Sequence, residues 1–177
     1  MTSTLTLTRP ATASSSTLDF EALYRSARDD VFAYVGTLLR DRGAAEDVTA
    51  QAFERAYRKH GSFDASRGSP RSWLFGIARN AALDELRRSS RQAALTAEPV
   101  DLGSGTVEDQ ADALISRAAL RTALATLATR DRELIALKFH AGLDNAEIAG
   151  VLGVSANNAG TMLHRSMTKL REALDER

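Results

Sequence analysis

"NAEIAGVLGVSANNAGTMLHR", residues 145 to 165, decides how this chain folds. A short run with Ile148, Ala149 and Leu152 at helical spacing precedes Gly153, and a longer periodic run follows it. Asp144 with Glu147 three residues later fits a capping box in which Asp replaces Ser or Thr, so a helix opens at 145. Gly153 supplies the positive φ of a tight turn, and Ser155 is placed to cap the next helix. Ala149 is small enough to let the two helices approach, Ile148 and Leu152 pack inward, and Ala159 faces the first helix. Short helix, glycine turn and longer helix make a helix-turn-helix, with a plain helical hairpin as the alternative that this segment alone leaves open.

On the wheel of the second helix Ala156, Ala159, Leu163, Met167 and Leu170 form the inward stripe. Asn157, Asn158, Thr161, Arg165 and Lys169 form the outward one. Asparagine can read adenine through two hydrogen bonds, threonine can touch a base or a phosphate, and Arg and Lys can hold phosphates or guanine. A merely solvated face is usually rich in Glu and Lys pairs, whereas none of these five side chains is acidic.

Upstream, "LISRAALRTALATLATRDRELIALKFHAG" (114 to 142) reads as two further helices, with Thr129 as the N-cap between them and Gly142 as a stop. Residues 112 to 177 thus form one module. Before it, "QAALTAEPVDLGSGTVEDQA" (92 to 111) carries Pro, Gly, Ser and Thr without periodicity and reads as a linker, reaching at most about 70 Å when extended. Residues 18 to 91 form another module with three helical patterns. Leu18, Phe20, Leu23, Tyr24, Ala27, Val31, Phe32, Val35, Leu38 and Leu39 mark the first, "DRGAAEDVTAQAFERAYRK" (41 to 59) supplies a glycine break and a second, and Ser69 with Pro70 opens the third. No stretch alternates long enough for a strand. The expected fold is all-α, two small helical domains joined by a flexible linker.

The third helix, "WLFGIARNAALDELRR" (73 to 88), sets the only tryptophan of the chain among polar side chains. Leu74, Ile77, Ala78, Ala81 and Ala82 share one stripe, while Trp73, Asn80, Asp84 and Arg87 line the opposite side. Either the indole is a stacking surface for a ligand, or the preceding loop "HGSFDASRGS" covers it.

The 177 residues are 44% hydrophobic and 26% charged, the composition of a globular protein. No apolar run approaches the roughly 18 residues that span a bilayer, so no membrane insertion is expected. Residues 1 to 17 are rich in Ser and Thr and lack the apolar middle of a signal peptide, so a disordered tail and a cytoplasmic protein are expected. Without cysteine there is no disulfide, thiolate metal site or thiol switch.

Net charge is zero, with 23 basic and 23 acidic residues, but its distribution is uneven. Residues 92 to 111 hold no Lys or Arg against 4 acidic residues, while each module is slightly basic. An enzyme finds no support: His60, His140 and His164 are widely separated, no phosphate-binding glycine loop or HExxH pattern occurs, and adjacent Glu46 and Asp47 face different ways on a helix. No catalytic residue, metal ligand or cofactor site is expected. A self-sufficient helix-turn-helix regulator should dimerise, and no heptad offers the means. An adaptor that binds only another regulator has no use for the polar face of residues 73 to 88.

Taken together, the modules resemble an extracytoplasmic-function (ECF, group 4) RNA polymerase sigma factor of the sigma-70 family. "AEDVTAQAFERAY" (45 to 57) is similar to that family's region 2.2, "PRSWLFGIARNAALDELRR" (70 to 88) to regions 2.3 and 2.4, and residues 145 to 165 to region 4.2. The resemblance implies a protein that binds core RNA polymerase and directs transcription from particular promoters. It implies that residues 18 to 91 read and melt the minus-10 element through Trp73, Arg79, Asn80, Asp84, Arg87 and Arg88. Phe63, Asp64 and Ser66 would line the loop that captures a flipped base. The helix-turn-helix would read the minus-35 element through Asn157, Asn158, Thr161, Arg165 and Lys169.

Glu46, Asp47, Gln51 and Glu54 would face the polymerase β′ coiled coil, the β flap would be a second contact on core polymerase, and an anti-sigma factor would be a further partner. The acidic linker would follow the RNA-exit path. The chain departs from the family pattern at Ala159, Gly160 and Met162 on the recognition helix and at Ala128, where proline is frequent. A glycine inside a helix costs about 1 kcal/mol.

Overall fold

The computed structural model describes residues 18–96 and 111–175. The expected tail over residues 1 to 17 lies outside them, as do residues 97–110 of the expected linker with all four of its acidic side chains. The helices are α1 (Phe20–Leu39), α2 (Arg42–Lys59), α3 (Pro70–Thr96), α4 (Ala111–Thr126), α5 (Thr129–Phe139), α6 (Asn145–Leu152) and α7 (Ala156–Asp175), with two 3-10 turns between α2 and α3. There is no strand among the described residues, and the fold is all-α.

Local chemistry sets most helix boundaries. The Asp19 carboxylate accepts from Ala22 N–H at 3.0 Å and starts α1. The break after α1 falls at Arg40, held at φ 58°, and not at Gly43. Asp41 caps α2 by accepting from Ala44 N–H at 2.8 Å, which carries Gly43 into the first turn of that helix. Ser69 Oγ accepts from Ser72 N–H at 3.1 Å, with Pro70 as the first residue of α3. Thr129 is not an N-cap: Ala128 holds that position at φ −61°, and the Thr129 hydroxyl instead accepts from Arg132 Nη2 at 3.1 Å. The Asp144–Glu147 capping box is present in full, and Gly153 ends α6 at φ 69°.

In the first module Val31, Tyr34, Val35 and Leu38 of α1 meet Ala45, Val48, Ala52 and Phe53 of α2 and Leu74, Ala78, Ala81 and Ala82 of α3. The alanines let the helix axes come close, which is what fills this core without large voids. Phe75 is fully buried although it lies off the apolar stripe of α3, because α3 packs against α1 and α2 on one side and α6 on another. Its ring meets Tyr34 edge-on at 5.4 Å. Burial, and next the Glu133 carboxylate, push the Tyr34 hydroxyl well above its ordinary pKa, so it stays protonated.

The modules, expected to be separable, share one core. α5 packs on α1, α6 packs on α3, and the buried apolar set runs unbroken from Leu23 to Ala159. Residues Asp131 to Leu137 of α5 are buried on all sides, since α7 covers the face that α1 leaves. Polar bonds cross the same boundary. Arg79 Nε donates to Glu133 Oε1 at 2.5 Å, with 17% and 6% of the two side chains exposed. Arg71 donates to Ala141 O at 2.5 Å and His140 O at 3.2 Å while also pairing with Asp30 of its own module. Ser69 Oγ donates to Glu147 Oε1 at 2.5 Å. A smaller cluster of Ala123, Leu127, Ile135 and Leu170 ties α4 to α5 and α7.

Candidate nucleic-acid interface

On α3, Asn80, Asp84 and Arg87 are exposed on one side, opposite Ala78, and Arg88 is exposed too but stands seven residues beyond Ala81, over that residue's side of the helix. Asp84 stands between two guanidinium groups, Arg87 at 3.3 Å and Arg55 of α2 at 3.6 Å. Arg55 was not among the expected residues; it reaches this face because α2 packs alongside α3. Arg88 is clamped by Glu85 through two bonds of 2.8 Å, and those bonds raise its pKa further. Arg79, expected on this face, points instead to Glu133.

Trp73 is half-buried, and its ring meets Phe63 edge-on at 5.5 Å. The preceding loop thus supports the indole without sealing it. Within that loop Asp64 Oδ1 accepts from Ser66 N–H at 2.9 Å and Ser66 Oγ–H at 2.7 Å, closing a tight turn. Those hydrogen bonds hold the Asp64 carboxyl below its ordinary pKa.

In the second module Asn157, Thr161 and Arg165 line an open cavity of about 530 Å³ together with Asn145, Ala156, Gly160 and His164. Asn145 and His164 join it unannounced by the periodicity, Asn145 because the turn at Gly153 folds α6 back along α7. Ala156, placed on the inward stripe by the wheel, is exposed, as the first residue of α7 that nothing covers. Asn158 is exposed beside the cavity, its N–H bonded to Ser155 Oγ at 3.3 Å.

Lys169 differs from the others: its Nζ pairs with Asp131 at 2.7 Å. Ser166, fully buried, donates to the same carboxylate at 2.7 Å. Burial pushes the Asp131 carboxyl up, but the bonds from Lys169 and Ser166 outweigh it and hold the group below the ordinary carboxylate range. This triad joins α5 to α7, a contact no local pattern announces.

Glu46, Asp47, Gln51 and Glu54 are all exposed on α2, with Asp47, Gln51 and Glu54 grouped on one side and Glu46 set one step round toward Phe53. Glu46 pairs with Arg42 at 3.1 Å and Glu54 with Arg58 at 2.6 Å, both one helical turn apart. Among the described residues no group of His, Asp or Glu is arranged to hold a metal ion, and no helix is long and apolar enough to cross a membrane.

Sigma-70 region 2 matches residues 23–92 and sigma-70 region 4 matches residues 117–170. The ECF RNA polymerase sigma factor SigK of Mycobacterium ulcerans is 30% identical over 160 residues, covering 88% of this chain and 86% of that protein. SigK of Mycobacterium tuberculosis is 28% identical over the same length. In fold the chain is similar to the sigma factor RpoE from Bartonella quintana, solved with the anti-sigma factor NepR, at a TM-score of 0.75, 22% identity and coverage of 89% of this chain and 97% of that one. It is also similar to CnrH, solved with the cytosolic domain of CnrY, at a TM-score of 0.65, 24% identity and coverage of 89% and 88%. With two sigma regions matched in order and a relative at this identity across most of both chains, this chain belongs to the ECF RNA polymerase sigma factors and serves promoter-directed transcription initiation.

Proposed function

We propose that this sigma factor docks on core RNA polymerase through α2, reads and melts the minus-10 element with residues 18 to 91, and reads the minus-35 element with the helix-turn-helix of residues 112 to 177. The observation that carries this reading is a pair of exposed polar faces that take no part in the shared core. One is Asn80, Asp84, Arg87 and Arg88 on α3, the other Asn157, Asn158, Thr161 and Arg165 on α7.

At the minus-10 element, the Phe63–Trp73 pair offers an aromatic wall for an unstacked base, worth roughly 1 to 3 kcal/mol per base, with Asp64 and Ser66 as hydrogen-bonding partners. Asp84 orients Arg87 and Arg55 toward phosphates, and Arg88 and Asn80 extend the contact. At the minus-35 element, Asn157, Asn158 and Thr161 take base edges and phosphates while Arg165 adds charge, and Lys169 contributes positive potential from its tether on Asp131. The β′ coiled coil meets Glu46, Asp47, Gln51 and Glu54, and the β flap meets the second module.

The two elements lie about 25 base pairs apart by their positions, or roughly 85 Å along B-form DNA. Modules joined by direct hydrogen bonds cannot reach both, so engagement requires α5 and α6 to leave α1 and α3. Arg79 then exchanges Glu133 for DNA. Zero net charge fits a subunit whose DNA affinity is supplied jointly by two weak readers held on polymerase. RpoE was solved with the anti-sigma factor NepR and CnrH with the cytosolic domain of CnrY, which supports an anti-sigma partner acting in the cytoplasm; with no cysteine here, any thiol-based sensing belongs to that partner.

The test is size-exclusion chromatography with core RNA polymerase followed by permanganate footprinting on a library of promoter fragments. Co-elution with reactive thymines around minus 10 is the expected result. Binding to duplex DNA without polymerase, and no co-elution, would replace this reading by a self-sufficient regulator.

A further inference from the structure

Gly160 lies inside α7, half-buried at the edge of the open cavity, where glycine weakens a helix by about 1 kcal/mol relative to alanine. Its surroundings account for it. A Cβ at 160 would stand 3.1 Å from Asn145 Nδ2, closer than side chains normally pack, and 3.8 Å from Asn145 Cγ, an ordinary contact. Gly142, Gly150 and Gly153 of the same module would meet nothing within 4 Å, so the crowding is particular to this pair. The Asn145 carboxamide therefore lies across α7 in the space that a side chain at 160 would occupy.

Three further features make this placement consequential. Asn145 is exposed and opens the same cavity as Asn157, Thr161, His164 and Arg165. Its carboxamide has two N–H donors and a carbonyl acceptor, none engaged among the described residues. Arg165 likewise has no carboxylate partner there, although Arg25, Arg42, Arg58, Arg87 and Arg88 are all ion-paired. The cavity thus gathers unspent hydrogen-bonding capacity from both helices of the motif.

Resting on the reading of α7 as the minus-35 reader, we infer that Asn145 is a specificity-determining DNA contact supplied by α6, and that Gly160 is the residue that admits it. The reading surface is a two-helix surface. Asn145 contributes neutral hydrogen bonds to the promoter, and Gly160 acts only through Asn145. Because an uncharged amide displaces no counterion, its contribution is insensitive to salt, unlike that of Arg165.

The experiment measures binding of holoenzyme, reconstituted from core RNA polymerase and the full chain, to the promoter fragment it binds most tightly, over a series of salt concentrations. Asn145→Ala is expected to weaken binding about threefold to tenfold with the salt slope unchanged. Gly160→Ala is expected to do the same while circular dichroism shows helix content kept. The double variant Asn145→Ala/Gly160→Ala should bind no more weakly than Asn145→Ala alone, because the glycine has no role once the amide is gone. Arg165→Ala is the control and should lower both affinity and slope.

If Arg165→Ala weakens binding and Asn145→Ala does not, the inference about Asn145 is overturned while the minus-35 reading stands. Additive losses in the double variant would overturn the role given to Gly160. If Arg165→Ala and Asn145→Ala are both silent, the minus-35 reading of α7 itself fails.

Discussion

Arg79 of α3 and Glu133 of α5 meet at 2.5 Å across the boundary between the two modules, with 17% and 6% of their side chains exposed. A charge pair so enclosed is costly to halve, since removing one partner leaves the other buried and uncompensated, at about 3 to 5 kcal/mol. Replacing both by apolar side chains of similar volume is far less disruptive. Glu133→Ala is therefore expected to lower stability in urea by about 3 kcal/mol and to expand the particle in small-angle scattering, while Arg79→Met/Glu133→Leu stays within about 1 kcal/mol of the parent. Single variants indistinguishable from the parent would mean that the pair does not hold the modules together.

On the proposed function the outward face of α3 engages DNA while α2 binds polymerase, so the two activities can be separated by substitution. Alanine at Asn80 and Arg87 together is expected to lower open-complex formation about tenfold, read by permanganate reactivity, with core polymerase binding nearly unchanged. Both side chains are exposed and, among the described residues, the Arg87 side chain pairs only with Asp84, so the substitutions leave the core intact. An equal loss of both activities would assign this face a structural role.

Acid sensitivity should centre on the joint between α5 and α7. Asp131 has a folded-state pKa below its ordinary value, so the stability it confers is present above pH about 4 and is lost as pH falls through the folded pKa. Asp131→Asn removes this dependence together with the Lys169 pair. Thermal denaturation from pH 7 down to pH 3 is expected to show a shallower decline for Asp131→Asn than for the parent. Parallel curves would show that other carboxylates govern acid unfolding.

Ala128 sits at φ −61° with ψ 150° ahead of α5, a conformation proline adopts without strain. Ala128→Pro is expected to stabilise the chain by about 0.4 to 1 kcal/mol, by restricting the unfolded state, and to raise Tm by about 1 to 4 °C. A fall in Tm would indicate that the Ala128 N–H or the preceding residue is needed in its present form.

How much of this was legible in the sequence depended on whether the cause was local. The Asp144–Glu147 box, Ser69 with Pro70 and the turn at Gly153 each rest on neighbours within four residues, and each formed as the sequence required. Gly43 and Thr129 misled for the same reason in reverse: Asp41 and Ala128, nearer the true boundaries, took over the capping positions.

Long-range partners were invisible. Nothing near Arg79 announces Glu133, 54 positions away, and nothing near Lys169 announces Asp131, 38 positions away, so side chains that look solvated on a wheel are spent inside the protein. Phe75 shows the same limit for apolar packing, because its burial needs helices on two sides of α3. The close packing of the modules was likewise beyond reach, since a linker's composition tells of its reach and not of what its ends prefer to touch.

Glu147 divides its two oxygens between two tasks: Oε2 accepts from Asp144 N–H at 3.0 Å and completes the cap of α6, while Oε1 accepts from Ser69 of the other module. Undocking breaks only the second bond. On the proposed function the helix-turn-helix can therefore be stowed against α3 and deployed with the cap of α6 kept. On that same proposal its release belongs to the microsecond-to-millisecond regime of domain motion, and the promoter would meet a motif whose first helix is already capped.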